Sequence, residues 1–378
     1  MAGYFKADLV ENSLLKTLRA FLKTMLDMDD IRSILVPCRL PMKPRIMPML
    51  VSDASYLANA DPIAPSFPLN SARIVSRLTR KTAGGVLAVV LRPCEMRAFV
   101  ELVKLNQGHP DDLILVGLDC IGAFSNRDYA GIADRHDSDF SENYCWNVLS
   151  GKDTKTDGTD QTPACRTCMQ PVPDQADIRI QLFGSRLEDG LCIQAGSEKG
   201  EQRLSRMQLK SSERSLQRDS AVEQVIRVRQ SNCENMIAEV EQKTDSMEKL
   251  NRYLADCVNC YNCRVACPVC YCKECVFATD VFCHEPYQYL RWADRKGAIK
   301  MPTDTVFYHL TRLAHMSTAC VGCGQCSNAC PNDIPVMELF KSVSLRTQKI
   351  FDYQAGRDVQ EKPPLTSFRE NEYEDIVG

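Results

Sequence analysis

No hydrophobic run in this sequence approaches the roughly 20 residues that a membrane-spanning helix needs. The longest lies near Val86–Leu91, so no membrane span is expected. Neither sign of charge dominates: 46 Lys and Arg stand against 49 Asp and Glu, a net of −3. Nucleic acids and anionic membrane surfaces call for a basic excess, so neither is an expected partner. The opening "MAGYFKADLVENSLLKTL" carries acids early and no small-residue cleavage site after an apolar stretch, and no signal peptide is expected. There is no G-x-G-x-x-G, and "GKDTKTDG" lacks the glycine spacing and the G-K-S/T end of a P-loop. Histidines are few and scattered (His109, His136, His284, His309, His315), so no nucleophile or acid–base constellation is visible. Only His284, beside Cys283, adjoins a cysteine.

Cysteine is what the chain has in excess, 20 of 378 residues. Hydrophobic residues at 44% and charged residues at 25% are ordinary for a soluble globular protein of two or three domains. A secreted disulfide protein is usually short, with cysteines spread to staple distant loops. Here eleven of the 20 fall in two tight runs, "CVNCYNCRVACPVCYCKEC" and "CVGCGQCSNACP". Cysteines so close wrap a metal centre better than they bridge one another, and a reducing cytoplasm is the expected setting.

Cys257, Cys260, Cys263 and Cys267 before Pro268 fit C-x-x-C-x-x-C-x-x-x-C-P, and Cys320, Cys323, Cys326 and Cys330 before Pro331 fit it again. This is the bacterial ferredoxin run, in which the fourth cysteine ligates the other cluster. The expected assignment is crossed. Cys257, Cys260, Cys263 and Cys330 would hold one [4Fe–4S] centre; Cys320, Cys323, Cys326 and Cys267 would hold the other. Zinc is the competing reading, but zinc ribbons pair C-x-x-C with C-x-x-C, without two four-cysteine runs each ending in Pro. The long interval between the runs contains two helical stretches, "PYQYLRWADRKG" and "TDTVFYHLTRLAHM". That resembles the α-helical ferredoxin domains of succinate dehydrogenase iron–sulfur subunits and heterodisulfide reductase subunits. Cys270, Cys272, Cys275 and Cys283 exceed what two clusters need; they could hold a further metal or lie as buried thiols.

Upstream the texture is α/β. Leu14, Leu15, Leu18, Phe21, Leu22 and Met25 fall on helical spacing, and residues 1–30 read as an amphipathic helix. "SILVPCRLPMKPRIMPMLV" reads as two short strands split by prolines, and "NSARIVSRLTRK" as a helix capped by Asn70. "GGVLAVVL", "RPCEMRAFVELVKLNQ" and "DLILVGLD" read strand–helix–strand, a parallel βαβ unit. "DIRIQLFG" and "LEDGLCIQAG" read as a hairpin pair. The expected organisation is an α/β domain over 1–196, a helical linker without chemistry over 197–248, an α-helical two-cluster domain over 249–349, and a flexible or partner-docking tail over 350–378. Met337, Leu339 and Phe340, apolar near a cluster, are expected to help dock a partner.

Cys94 and Cys120 each end a buried strand, and adjacent parallel strands place those ends side by side, where α/β sheets bind ligands. With the C-x-x-C of Cys165 and Cys168 they could close a third cluster. Core cysteines beside an unrelated C-x-x-C, or a redox dithiol, remain open on spacing alone. Cys38, Cys145, Cys192 and Cys233 read as structural.

"ADPIAPSFPLNSARIVSRLT", "VVLRPCEMRAFVELVKL", "LVGLDCIGAF" and the first cysteine run together resemble the beta-subunit family of deazaflavin-coenzyme-reducing hydrogenases and formate dehydrogenases, over roughly residues 30–345. The resemblance implies an iron–sulfur subunit of an anaerobic redox complex, some of whose relatives join heterodisulfide-reductase-like assemblies. It also implies a third cluster on Cys94, Cys120, Cys165 and Cys168, and FAD. A flavin would rest on loops at Asn70–Arg73 and Arg92–Arg97, with Arg73, Arg92 and Arg97 toward its pyrophosphate; surface ion pairing is the alternative. The ferredoxin motif here is C-terminal, whereas deazaflavin-reducing members carry one near the N-terminus, so deazaflavin reduction is not carried over. Two functions follow: an electron relay between a formate dehydrogenase or hydrogenase type partner and a heterodisulfide-reductase-like module, or an FAD subunit exchanging hydride with a deazaflavin or nicotinamide carrier.

Overall fold

The structure is a computed structural model describing residues 3–82, 84–136 and 139–366. The first half of the chain builds one eight-stranded sheet. Its elements are β1 (Tyr4–Ala7), α1 (Leu14–Leu26), β2 (Ile31–Leu40), β3 (Lys43–Val51), α2 (Ala72–Leu78), β4 (Val86–Leu91), α3 (Pro93–Lys104), β5 (Leu113–Leu118), α4 (Asn126–Ala133), α5 (Phe140–Leu149), α6 (Pro163–Arg166), β6 (Ile178–Gln181) and β7 (Leu191–Ala195). Then come α7 (Glu198–Arg206), β8 (Lys210–Ser211) and the long α8 (Arg218–Thr244). The sulfur-rich half is helical: α9 (Met247–Tyr253), α10 (Asn262–Ala266), α11 (Pro286–Lys296), α12 (Thr305–Met316), α13 (Gln325–Asn328) and α14 (Val336–Ile350).

The strand order is β3-β2-β4-β5-β6-β7-β1-β8. The centre, β2-β4-β5-β6, is parallel, and both flanks are antiparallel. Strands buried on both faces read as continuous apolar runs, and β4 and β5 are such runs. Ala88, Val90, Ile114 and Val116 point into one core with α1, while Leu87, Val89, Leu91, Leu113 and Leu115 point into a second. That second core continues through Phe99 and Leu102 of α3 into Leu250, Leu254, Tyr308, Leu339 and Phe340. The helical half is therefore built onto one face of the sheet.

Several expectations change. Residues 4–7 form β1, paired to β7, ahead of α1, so the N-terminal segment is not one helix; the expected apolar face of α1 is buried. β2 and β3 run through their prolines, Pro37 opposite Pro48, which a two-stranded sheet edge tolerates. Residues 197–248, expected as a helical linker, pack against the sheet: Arg218 of α8 forks onto Asp119, and Arg229 Nη2 donates to the Cys120 carbonyl at 3.1 Å. Met337, Leu339 and Phe340 are buried core, because α14 lies against α12 and α13. They do not form a docking face. The tail, expected to be flexible or partner-docking, is held at its start. Tyr353 hydroxyl donates to Glu101 Oε1 at 2.5 Å, Gly356 N–H to the same oxygen at 2.7 Å, and Arg97 Nε to the Ala355 carbonyl at 3.0 Å. Residues 367–378 lie outside the described residues. Among the described residues, no helix is long and apolar enough to cross a membrane.

Candidate metal centres

The two ferredoxin runs fold alike. Asn259 and Tyr261 in the first, and Gly322 and Gly324 in the second, all have left-handed φ, from 50° to 80°. They sit at matching places, two and four residues after the first cysteine of each run. Alternation of this kind turns successive N–H groups to one side, the concave arrangement that receives anions. Glycine does this at no steric cost; Asn tolerates it, and Tyr261 is unusual there. Short helices α10 and α13 then carry Cys263 and Cys326 and touch each other.

Cys257, Cys260, Cys263 and Cys330 line one cleft with Tyr261, Tyr308 and His309. This brings together three cysteines of the first run and the last of the second. The His309 ring Nε2 lies 3.4 Å from Cys257 Sγ, and burial pushes that imidazole down to about 4, so it is neutral at pH 7. Cys267 gathers with the other three. Burial drives its thiol up to about 12, with Cys320 adding to the push; Cys323 and Cys326 are driven up by burial and by Cys267 and Cys320.

The upstream cysteines also meet. Cys94, Cys120, Cys165 and Cys168 line one cleft with Phe67, Arg92, Arg229 and Cys323. The "RPCE" motif explains how Cys94 is set: Pro93 starts α3, and Glu95 accepts from its own cap, Arg92 N–H, at 2.9 Å and from Ser71 N–H at 2.7 Å, locking α2 and α3 at their starts. Asp119 anchors the other side, accepting from Leu182 and Phe183 N–H at 2.7 and 2.9 Å, while Cys120 N–H donates to Pro171 O at 2.8 Å. Gly122 has φ +98°, and a Cβ there would fall 2.2 Å from Gln161 Oε1. Burial raises the Cys94 thiol well above its usual range, and Cys323, Cys120 and Cys168 add to it.

Thiols that raise one another's pKa in a buried cleft are a donor set that a cationic centre relieves. Unpartnered buried donors sit beside them: Arg92 Nη1 and Arg312 Nε. These donors have no protein acceptor, and the sulfides of a cluster would supply one. Among the described residues, no three His, Cys, Asp or Glu side chains close to the spacing of a single ion. That spacing suits zinc, whose ligands share one atom. A cubane takes each cysteine on a different iron and asks for wider spacing.

The residues expected at a flavin are spread. Arg97 is buried and bonded to Ala355 O, Gln170 Oε1 and Val321 O; Arg73 Nη1 donates to Val265 O at 2.7 Å. Arg92 binds Ala64 O at 2.8 Å and lies over the Phe67 ring, beside the Cys94 cleft. Asn70 accepts from Ala72 N–H at 3.0 Å and faces Cys323. Of the surplus cysteines, Cys270 and Cys275 are half-buried, and Cys272 and Cys283 are exposed. His284 stacks edge-on against Tyr289 and Trp292. Sequence reasoning missed Arg229, His309, Arg312 and Lys341, whose Nζ donates to Thr167 O at 2.5 Å and Thr167 Oγ1 at 2.9 Å. Only the sulfur-rich neighbourhood of α12 and α14 could have signalled His309, Arg312 and Lys341, and nothing in the sequence of α8 marked Arg229.

Residues 85–213 match the family defined by the C terminus of the Coenzyme F420 hydrogenase/dehydrogenase beta subunit, and residues 315–336 match the 4Fe-4S binding domain. The F420-dependent formate dehydrogenase subunit beta of Methanocaldococcus jannaschii is 25% identical over 346 residues, 84% of this chain and 85% of that protein. The F420-dependent formate dehydrogenase 1 subunit beta of Methanococcus maripaludis is 28% identical over 306 residues, 74% and 75% of the two chains. A chain of the F420-reducing [NiFe] hydrogenase complex from Methanosarcina barkeri superposes with a TM-score of 0.45 at 19% identity, covering 65% of this chain and 93% of its own. The chain thus carries a hydrogenase/dehydrogenase beta-subunit domain and a 4Fe–4S domain, and the resemblance read from its motifs is borne out.

Proposed function

We propose that this chain is the iron–sulfur electron-transfer subunit of an anaerobic, cytoplasmic oxidoreductase complex. It would relay electrons between a formate dehydrogenase or hydrogenase type partner and a heterodisulfide-reductase-like module. The ligand sets would be Cys257, Cys260, Cys263 and Cys330; Cys267, Cys320, Cys323 and Cys326; and Cys94, Cys120, Cys165 and Cys168. One observation carries the reading: Cys323 of the second set also lines the cleft of the third, while Arg312 touches Cys263 of the first and faces Cys267 and Cys326 of the second. The sets therefore adjoin in the order first, second, third, as a relay requires. A [4Fe–4S] group, when bound, takes up and returns single electrons without atom transfer. The chain's own part is to fix thiolates, exclude water and aim N–H donors at sulfur. Tyr287 and Leu290 of α11 and Phe307 and Leu310 of α12 are exposed and offer apolar surface to a partner.

A second reading is that this chain binds FAD and itself exchanges hydride with a deazaflavin or nicotinamide carrier; the relatives' names, which call them F420-dependent, favour keeping it. Iron, labile sulfide and flavin per chain, measured on anaerobically purified protein, separate the two. About 12 irons without flavin supports the relay, and about 12 with one flavin supports the hydride-exchanging reading. About eight irons would remove the third set.

A further inference from the structure

Arg312 of α12 is a charged side chain only 4% exposed. Its Nη1 donates to Cys263 Sγ at 3.0 Å and its Nη2 to the Cys263 carbonyl at 3.2 Å. The guanidinium lies over the Phe340 ring at 4.7 Å and the Tyr308 ring at 5.5 Å, which shut it from water. Its Nε has no protein partner. Cys263, Tyr308, Cys267 and Cys326 all lie near enough to act on its charge. The opposing groups are thiols and a phenol, none of them a carboxylate, and the thiols come from two ligand sets. A buried cation normally pairs with Asp or Glu, because an unpaired one is strongly destabilising. With the ligand sets proposed above, its counter-charge would be the thiolate sulfur of two neighbouring centres.

We propose that Arg312 is a shared cation that favours the one-electron reduced form of both centres flanking it. The inference rests on the ligand sets assigned above. Each reduction adds one electron, and so one negative charge, to a centre; no proton moves and the guanidinium keeps its charge throughout. A fixed positive charge beside both centres lowers the energy of the added electron at each. In a dry, low-dielectric site that attraction is weakly screened by salt. Arginine suits the task because it stays protonated at any working pH and its fork bonds sulfur and backbone together.

The test uses the full chain, purified anaerobically, as wild type, Arg312→Gln and Arg312→Lys. Iron and labile sulfide are counted, and midpoint potentials are read by EPR during titration with dithionite and mediators. With full iron, Arg312→Gln should lower the reduction equilibrium constant of both flanking centres at least tenfold, about 59 mV for a one-electron couple. The centre at Cys94 should move less, and Arg312→Lys should restore most of the loss. Arg312→Gln with full iron and both constants within twofold of wild type would overturn the proposal. If Arg312→Gln loses iron, Arg312→Lys decides. Full loading at near wild-type potentials supports a need for charge, whereas equal loss makes Arg312 a packing residue and ends the proposal. Wild type lacking two clusters in residues 249–349 would instead defeat the ligand assignment.

Discussion

Removing Arg218 should loosen the joint that holds Cys120. Asp119 lies between the end of β5 and Cys120, and both it and Arg218 are buried, at 3% and 8% exposure. The Asp119 carboxylate accepts Leu182 and Phe183 N–H at 2.7 and 2.9 Å, and Arg218 grips it with both Nη1 and Nη2, the latter at 2.7 Å. Breaking a buried pair by deleting one partner costs about 3–5 kcal/mol, because a charge is left in a poor solvent. At 1.36 kcal/mol per factor of ten, α8 should part from β5 roughly 10²–10⁴ times more often in Arg218→Ala. The amides of Leu182 and Phe183 report this directly, since their hydrogen bonds end on the same carboxylate; hydrogen exchange at those two sites should accelerate by that factor. The control is Arg214→Ala, which removes a surface pair with Asp219 whose members are 55% and 65% exposed and should change little. Arg229, three turns along α8 on the Cys120 carbonyl, should lose its hold too, and a cluster held there as proposed would become more accessible to chelators. Exchange at Leu182 and Phe183 no faster in Arg218→Ala than in Arg214→Ala would refute the reasoning.

Cys165→Ala should remove about four irons per chain and leave about eight; an unchanged count would return Cys165 and Cys168 to an ordinary loop. Gly324→Ala should disturb the seam between the two halves, because its Cβ would fall 2.4 Å from that of Ala164 and φ there is +80°. About 1–3 kcal/mol of overpacking is expected, read as a lower thermal midpoint, and an unchanged midpoint would show the seam is soft. Tyr353→Phe should lose about 1.5–3 kcal/mol by removing a hydrogen bond to the buried Glu101 carboxylate, read as a lower thermal midpoint. Equal stability of Tyr353→Phe and wild type would show that this clasp contributes nothing.

The parts of the fold legible in the sequence were those set by local period and spacing. "VLAVVL" and "LILVGL" have only one comfortable state, a strand covered on both faces, and they form the parallel pair β4 and β5 in register Leu87 to Leu113. The crossed grouping of Cys330 with the first ferredoxin run was legible because three cysteines at two-residue gaps leave no reach for the fourth. What was not legible depends on contacts far apart in sequence. Charge and glutamine on α8 disguise a helix whose Arg218 and Arg229 point inward. Met337, Leu339 and Phe340 look like a docking stripe until α12 is placed against them. Tyr353 and Ala355 sit in a polar, proline-broken tail, and only α3 shows why they are buried. A four-residue strand such as β1 carries too little pattern to be told from the start of α1.

Whether the two halves are separate units decides how a relay could work, since electron transfer between centres needs fixed spacing. Domains within a chain usually meet through modest polar interfaces and move against each other. This seam is different in kind. Leu87, Val89, Phe99 and Leu102 from the sheet side share one continuous core with Leu250, Leu254, Tyr308, Phe340 and Tyr353 from the helical side. Polar ties cross the same seam, from Arg97 to Val321 O, Gln325 Nε2 to Phe67 O and Lys341 to Thr167. Cutting the chain at residue 248 would expose both sides of that core. Each buried Leu or Phe uncovered forfeits about 1.5–3 kcal/mol, and a handful of them equals the whole stability of a typical domain. Neither piece should then fold alone, so residues 1–248 and 249–378 produced separately should show exposed apolar surface by dye binding and no cooperative melt, and should recover both on co-expression. Two pieces that each melt cooperatively would mean the halves are independent domains, and the spacing between the second and third cysteine sets would then need a partner to fix it.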